Sequence, residues 1–195
     1  MSFIILIIII LNIFNNNINI FDDYVYSIIV NDNNLVTPIK ILTTMGDAIF
    51  LIPLSLFLLI ILKNKGLSII INLAIVTILN QILKFIFQRP RPELYNLIEE
   101  TGFSFPSGHM MASTAFYGFL MYLVVKYVKN KSLKLILSVM LILIVMLIGY
   151  SRIYLGVHFT SDVIGGFLIS VIYLIIYIKI ISKYIEKGEV KHGKK

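Results

Sequence analysis

Apolar residues fill this chain in long runs that are separated by short polar or charged pieces. Five runs approach the length of about 20 residues at which a helix crosses a bilayer; they cover residues 45–62, 67–87, 108–128, 133–150 and 159–181. A shorter apolar run at residues 3–14 ends in a cluster of asparagines and is interpreted as a first span. The pattern therefore predicts an all-α bundle of six membrane-spanning helices that forms one domain over residues 1–195.

The piece between the first two predicted spans has a different pattern. Residues 22–44 alternate acidic, asparagine-rich and apolar stretches, and Phe21, Val25 and either Ile28 or Ile29 recur at helical spacing. Such a pattern is typical of a segment that lies along the membrane surface. The beginning of the chain has no cationic start and no small-residue cleavage site, so we do not expect a cleaved signal peptide.

Composition and charge narrow the functional class. The 195 residues are 58% hydrophobic and 14% charged, with a mean hydropathy of +0.94, which indicates an integral membrane protein. The net charge of +7 is scattered between apolar runs and does not form a basic soluble domain, so we expect no nucleic-acid partner. The chain has no cysteine, which excludes disulfides and thiolate metal sites and leaves the redox compartment open.

The lysines predict an orientation. Twelve of the seventeen basic residues lie at alternate ends of the predicted spans, and these ends are cytoplasmic by the positive-inside rule. Both termini are then cytoplasmic, and residues 22–44, 88–107 and 150–158 face outside. All three arginines of the chain, at positions 89, 91 and 152, lie on that outer side.

The most informative stretch is Ser151–Asp162, at the start of the last predicted span. His158 and Asp162 are four residues apart and share a face if this part is helical, so the carboxylate can orient the imidazole. An ion pair at the end of a membrane helix is an equally simple interpretation of these residues alone. Other parts of the chain must therefore decide between them.

Two further polar blocks lie at the same predicted membrane face. Lys84 lies at the end of the third span, and alone it would be interpreted as a lysine whose amine reaches the membrane interface. Arg91 favours phosphate binding by this block instead, because its planar guanidinium suits phosphate oxygens. Arg89 is expected to face lipid headgroups. In the second block Ser107 resembles a helix N-cap, and Gly108 and His109 follow it, as in an anion site at a helix N-terminus.

These blocks are predicted to meet at the outer ends of spans three, four and six. Three cations and neutral donors would then surround one volume and form a cradle for a phosphate dianion. Histidine chemistry on phosphate needs a nucleophile on one side and an acid for the departing oxygen on the other, roles that suit His158 and His109 respectively. The predicted cradle consists of Lys84, Arg91, Ser107, the Gly108 amide and Arg152.

The blocks Lys84-x6-Arg91-Pro92, Pro106-Ser107-Gly108-His109 and Ser151-Arg152-x5-His158-x3-Asp162 resemble the three signatures of the type 2 phosphatidic acid phosphatase (lipid phosphate phosphatase) family, in its small bacterial membrane-embedded form. The resemblance implies a phosphatase without metal or cofactor. It also implies a transiently phosphorylated His158, oriented by Asp162, with His109 as the acid and the five cradle residues holding the phosphate.

A transporter or a scaffold protein would require other features in the sequence. A six-span transporter would place Lys84 and Asp162 along a path near the membrane midplane, and a scaffold protein derived from an enzyme would have lost a signature residue. Related cradles also hold vanadate for peroxidase chemistry, in soluble proteins.

For a phosphatase at the outer bilayer surface, we expect a lipid phosphate that enters sideways. Undecaprenyl pyrophosphate is the leading candidate, followed by phosphatidylglycerophosphate and phosphatidic acid, and the oligomeric state is open.

Overall fold

The computed structural model describes residues 2–14, 19–29, 35–92 and 97–192, and all regular structure within them is helical. The helices are α1 (Ser2–Phe14), α2 (Asn19–Ile29), α3 (Val36–Thr44), α4 (Ala48–Leu62), α5 (Asn64–Phe87), α6 (Gly108–Tyr127), α7 (Lys131–Tyr154) and α8 (Thr160–His192).

Five helical stretches are long and apolar enough to cross a membrane: Val36–Leu62, Asn64–Phe87, Gly108–Tyr127, Lys131–Tyr154 and Thr160–Ile185. They correspond to the five longer predicted spans, as expected of a multi-pass membrane protein. The first begins at Val36 and not at residue 45, because α3 and α4 follow each other with only the turn at Met45–Asp47 between them. Helix α1 has only 13 residues, so the six-span count stays a prediction, as does the interfacial position of residues 22–44.

Helix α6 lies at the centre of the bundle, in contact with α5, α7 and α8. Its Phe116 and Phe119 are completely buried, as is Ile148 of α7. Polar side chains between the helices donate to backbone carbonyls: Asn72 Nδ2 to Ala115 O at 2.7 Å, and Tyr177 Oη to Ser68 O at 2.6 Å. Such bonds satisfy polar groups that water cannot reach inside a membrane bundle.

Two glycines let α8 approach the segment before α6. A Cβ atom on Gly165 would lie 2.5 Å from the Phe105 ring, and one on Gly166 would lie 3.1 Å from Ser107 O. The close approach at these glycines is made by the loop that carries Ser107. The glycines therefore let the second polar block pack against the start of α8.

The three polar blocks are joined at one end of the bundle. Helix α5 ends at Phe87 and Gln88 has a left-handed conformation (φ 45°), which turns the chain toward the α6 entry loop. Ser104 N–H donates to Arg89 O at 2.8 Å, and Ser107 N–H donates to Asp162 O at 3.2 Å. The C-terminal ends of α5 and α7 and the N-terminal ends of α6 and α8 thus lie together.

Candidate active site

His158 and Asp162 form the predicted pair. Helix α8 begins at Thr160, so His158 lies in the loop before the helix and Asp162 in its first turn. His158 Nδ1 is 3.6 Å from Asp162 Oδ2, and both side chains are buried. Ser104 strengthens the pair, because its Oγ lies 3.3 Å from His158 Nδ1 and also donates to Asp162 Oδ2.

The Asp162 carboxylate has donors on both oxygens. Phe159 N–H donates to Oδ2 at 2.9 Å, and Arg89 NH1 donates to Oδ1 at 2.6 Å. A buried carboxylate that lacked such partners would be strongly destabilising, and it would take up a proton. These contacts keep Asp162 ionised and fixed beside His158.

The buried position of Arg89 contradicts one expectation from the sequence. The interpretation that it faces lipid headgroups is wrong, because only 8% of its side chain is exposed and it forms salt bridges with Asp162 and with Asp22 of α2. Its guanidinium also lies 4.3 Å above the ring of Phe159. Arg89 therefore belongs to the support of Asp162.

Burial controls the protonation of His158. Desolvation lowers the pKa of His158 to about 4, with Asp162 raising it and the charges of Arg152 and Arg91 lowering it further. The imidazole is therefore neutral near pH 7. A proton on Nδ1, which faces Asp162 and Ser104, leaves a lone pair on Nε2, and this nitrogen lies 3.5 Å from Arg91 NH1.

The second histidine lies in the first turn of α6 and faces the C-terminal end of α7. His109 Nε2 lies 3.4 Å from Arg152 NH1 and 3.5 Å from Asp47 Oδ2. Asp47 is itself fixed as the N-cap of α4, where Oδ1 accepts the Ile49 N–H at 3.2 Å. His109 therefore has a carboxylate partner of its own, which is distinct from Asp162.

The three predicted cations also lie at this end of the bundle. Lys84 Nζ donates to Phe103 O at 2.7 Å. The Arg91 guanidinium donates to the carbonyls of Thr101, Gly102 and Val157 at 2.9–3.0 Å, which ties the first block to the α5–α6 connection and to the third block.

Arg152 has partners from two segments outside the signatures. Its NH1 donates to Thr43 Oγ1 at 3.1 Å, and its NH2 donates to Glu100 Oε1. The second carboxylate oxygen of Glu100, Oε2, lies 3.9 Å from Arg91 NH2. Burial raises the pKa of Glu100, but the hydrogen bond and charge of Arg152 outweigh it, so the net pKa is lower than usual. Glu100 is thus an anionic partner of Arg152.

Two donors of the predicted cradle are buried and unsatisfied. Among the residues that the structure describes, Ser107 Oγ and Arg152 Nε are buried without a hydrogen-bond partner. Ser107 is the N-cap of α6 but its side chain makes no capping bond. At Gly108, a Cβ atom would lie 3.2 Å from Asn80 Oδ1, so only glycine fits there without displacement. Free donors beside the N-terminus of a helix fit an oxyanion ligand.

A family model described as the PAP2 superfamily matches residues 65–186, which contain all three blocks. The chain belongs to the PAP2 superfamily. The resemblance drawn from the sequence blocks is thereby confirmed.

Among curated proteins, the chain is 36% identical over 135 residues to phosphatidylglycerophosphatase B of Bacillus subtilis, a match that covers 65% of each chain. It is 28% identical over 164 residues to an undecaprenyl-diphosphatase of Sulfolobus acidocaldarius, with 78% of this chain and 72% of the relative covered. Both relatives are named as phosphatases, in agreement with the prediction of an enzyme.

Two solved structures share the fold. The crystal structure of a transmembrane PAP2 type phosphatidylglycerolphosphate phosphatase from Bacillus subtilis matches with a TM-score of 0.85 and 28% identity, over 93% of this chain and 94% of that chain. Aquifex aeolicus LpxE matches with a TM-score of 0.65 and 32% identity, over 80% and 93% respectively.

Sequence reasoning missed the residues that support the site. Their partners lie far along the chain, and neither spacing nor hydrophobic pattern indicates such pairs. The one available signal was charge in an apolar chain, since acidic side chains near a predicted cluster of arginines are candidates for pairing. The missed residues are Asp22, Asp47, Ser104 and Glu100, together with the buried position of Arg89.

The environment of His158 predicts an unusual titration. In 15N-histidine NMR of the protein in detergent micelles, the signal assigned to His158 by its loss in His158→Ala should titrate near pH 4, because burial disfavours the imidazolium. An imidazole signal from His158 that titrates at its ordinary pKa of 6.5 would show that the ring is hydrated and not held as described.

Proposed function

We propose that this chain is a lipid phosphate phosphatase that works through a phosphohistidine on His158. The observation that carries the proposal is the pairing of buried His158 with Asp162 beside Arg91, while Ser107 Oγ and Arg152 Nε remain as buried donors without partners. A nucleophile, its orienting carboxylate and open donors for a phosphate therefore lie at one place.

The first chemical step follows from this arrangement. The lone pair of His158 Nε2 attacks phosphorus, the N–P bond forms as the P–O bond to the lipid breaks, and His109 gives its proton to the departing oxygen. Asp162 stabilises the positive charge that develops on the His158 ring. The phosphoryl oxygens are held by Lys84, Arg91, Arg152, the Ser107 hydroxyl and the Gly108 amide.

The second step returns the enzyme to its starting state. His109, now neutral, accepts a proton from a water molecule as that water attacks phosphorus, and the N–P bond breaks with its electrons returning to Nε2. Inorganic phosphate leaves. Each turnover thus consumes one water and releases one phosphate and one dephosphorylated lipid.

The donor set supports phosphate chemistry without a bound metal. The Asp162 oxygens already accept from Arg89, Ser104 and Phe159 N–H, and Glu100 is paired with Arg152. In the described ranges, His, Asp and Glu side chains form no group of three that could hold a metal ion. The charge of the phosphate is then neutralised by Lys84, Arg91 and Arg152.

The placement of the site favours an enzyme over a transporter. His158, His109, Arg152 and Lys84 lie at the ends of α5, α6 and α7 and before α8, at one end of the bundle. A transport site is expected near the midplane between broken helices. A site at the helix ends instead suits a headgroup at the membrane surface.

A cavity supports the proposal that the substrate is a lipid. A space of about 520 Å³ between α4, α5 and α6 reaches from Gly108 and His109 to the bundle surface, where Ile52, Leu56 and Ile78 are more than half exposed. Its wall along the helices is largely aliphatic. An acyl or prenyl chain could occupy this cavity and keep its apolar surface out of water while the phosphate reaches the histidines.

Two lipids have specific support as substrates. Undecaprenyl pyrophosphate follows from the predicted outward orientation and is named for the Sulfolobus relative, whereas phosphatidylglycerophosphate is named for the Bacillus relative, which has the higher identity. Both present a terminal phosphate on a long apolar chain. We place the site at the outer face, since the lysines lie mainly at the opposite ends of the helices.

Loss of either histidine is predicted to abolish turnover with the fold retained. His158→Ala, His109→Ala and Arg152→Ala should each lower kcat/KM by at least about 1000-fold, since each acts in the transition state. Asp162→Asn should be less damaging than His158→Ala, because the carboxylate orients the ring but does not attack. Phosphate release is measured with EDTA present throughout, together with the melting temperature.

Lys131→Ala provides the control, since it removes an exposed cation from the first turn of α7, at the opposite end of the helix from Arg152. It should leave activity and stability unchanged. Near-normal turnover by His158→Ala would overturn the nucleophile assignment, and activity that requires added magnesium would overturn the metal-free mechanism.

The cavity between α4, α5 and α6 is predicted to favour substrates with a long apolar tail. Ala74→Phe narrows the cavity and should raise KM for a long-chain lipid phosphate several-fold, with little effect on a short-chain analogue. Its matched control is Ile75→Phe, because Ile75 is 42% exposed and does not line the cavity. Undecaprenyl pyrophosphate, phosphatidylglycerophosphate and glucose 6-phosphate are then compared in one detergent. A preference for the sugar phosphate, or equal effects of the two variants, would contradict tail binding in this cavity.

A further inference from the structure

Helix α2 carries a buried carboxylate that lies outside all three signature blocks and outside the family-matched residues. Asp22 has 0% of its side chain exposed. Its Oδ1 accepts the Ser161 N–H at 2.9 Å, and its Oδ2 accepts from Arg89 NH2 at 2.8 Å and from the Ser161 hydroxyl. A carboxylate this deeply buried in an otherwise amphipathic helix is costly unless its partners compensate for it.

The partners of Asp22 are also partners of Asp162. Arg89 NH1 donates both to Asp162 Oδ1, at 2.6 Å, and to Ser161 Oγ, at 2.7 Å. One guanidinium therefore joins two carboxylates, with the Ser161 hydroxyl between them. A continuous line of contacts runs from Asp22 through Arg89 and Asp162 to His158.

The charges of Asp22, Arg89 and Asp162 together contribute to the electrostatic field at His158. A guanidinium that faced Asp162 alone would offset much of the negative charge that stabilises an imidazolium on His158. With Asp22 included, the two carboxylates and one guanidinium carry a net charge of −1. Because the dielectric constant of a buried site is low, the negative charge that Asp22 adds strongly stabilises an imidazolium on the neighbouring His158 ring.

We propose that Asp22 is a positioning residue for the phosphatase reaction, which acts through Arg89 and Ser161 to fix the Asp162 carboxylate and keep its charge available to His158. The inference rests on the proposed function of His158 and Asp162. It assigns to α2 a part in the chemistry, in addition to its packing against α7 and α8.

The test compares two adjacent acids. Asp22→Asn keeps the shape of the side chain but removes its charge, and Asp23→Asn is the matched control because Asp23 is exposed. With a lipid phosphate substrate in detergent, Asp22→Asn should lower kcat on the order of 10-fold to 100-fold, the range that misplacement of a catalytic group produces, with KM nearly unchanged. Asp23→Asn should leave both constants unchanged. A kcat of wild-type size in folded Asp22→Asn would overturn the proposal.

A double-mutant cycle separates positioning from general support of the fold. If Asp22 acts through Asp162, adding Asp22→Asn to the Asp162→Asn variant should lower kcat by less than about twofold. The reason is that this variant already lacks the Asp162 charge that Asp22 holds in place. A purely structural role would produce the same loss in both backgrounds and would overturn the proposal. Melting temperatures are recorded for every variant.

Ser161→Ala covers the case in which Asp22→Asn does not fold. It removes the hydroxyl that bridges Asp22 and Arg89 without unpairing a charge. We expect a several-fold loss of kcat in the wild-type background and almost none in Asp162→Asn, and equal losses would contradict the proposal. Failure of the proposed function would appear separately, as activity retained by His158→Ala.

Discussion

The pairing of Asp162 is the constraint on which the rest of the site depends. A carboxylate buried at the start of a membrane helix costs several kcal/mol unless donors surround it. Donors come from three directions: Arg89 after α5, Ser104 before α6, and the Phe159 amide before α8. Satisfying this one charge therefore brings the ends of these helices together and places His158 beside Asp162.

The sequence was sufficient to predict the five longer helices and the meeting of the blocks at one end of the bundle. Long apolar runs leave few alternatives to membrane helices, and residues at alternate ends of successive helices must share a face of the bundle. The position of His158 relative to Asp162 was also predictable, although α8 begins at Thr160 and the histidine precedes it. A four-residue separation across a helix start still brings Nδ1 within 3.6 Å of Oδ2.

The supporting residues could not be predicted, because their contacts depend on how segments outside the signatures pack. Asp22 and Arg89 are 67 residues apart, and the amphipathic pattern of α2 gives no sign that one of its acids is buried. An arginine at a helix end usually reaches water, whereas Arg89 is buried between two carboxylates. Asp47 and Glu100 similarly gain their roles only when α4 and the α5–α6 connection approach α6 and α7.

The proposed reaction requires that His158 form a covalent bond to phosphorus. The most direct measurement is rapid quenching of the enzyme with a 32P-labelled lipid phosphate, followed by peptide mapping under alkaline conditions that preserve phosphohistidine. Label is expected on the peptide that contains His158, and no label is expected on the His158→Ala variant. Label on a serine peptide, or rapid turnover with no protein-bound label at any quench time, would contradict it.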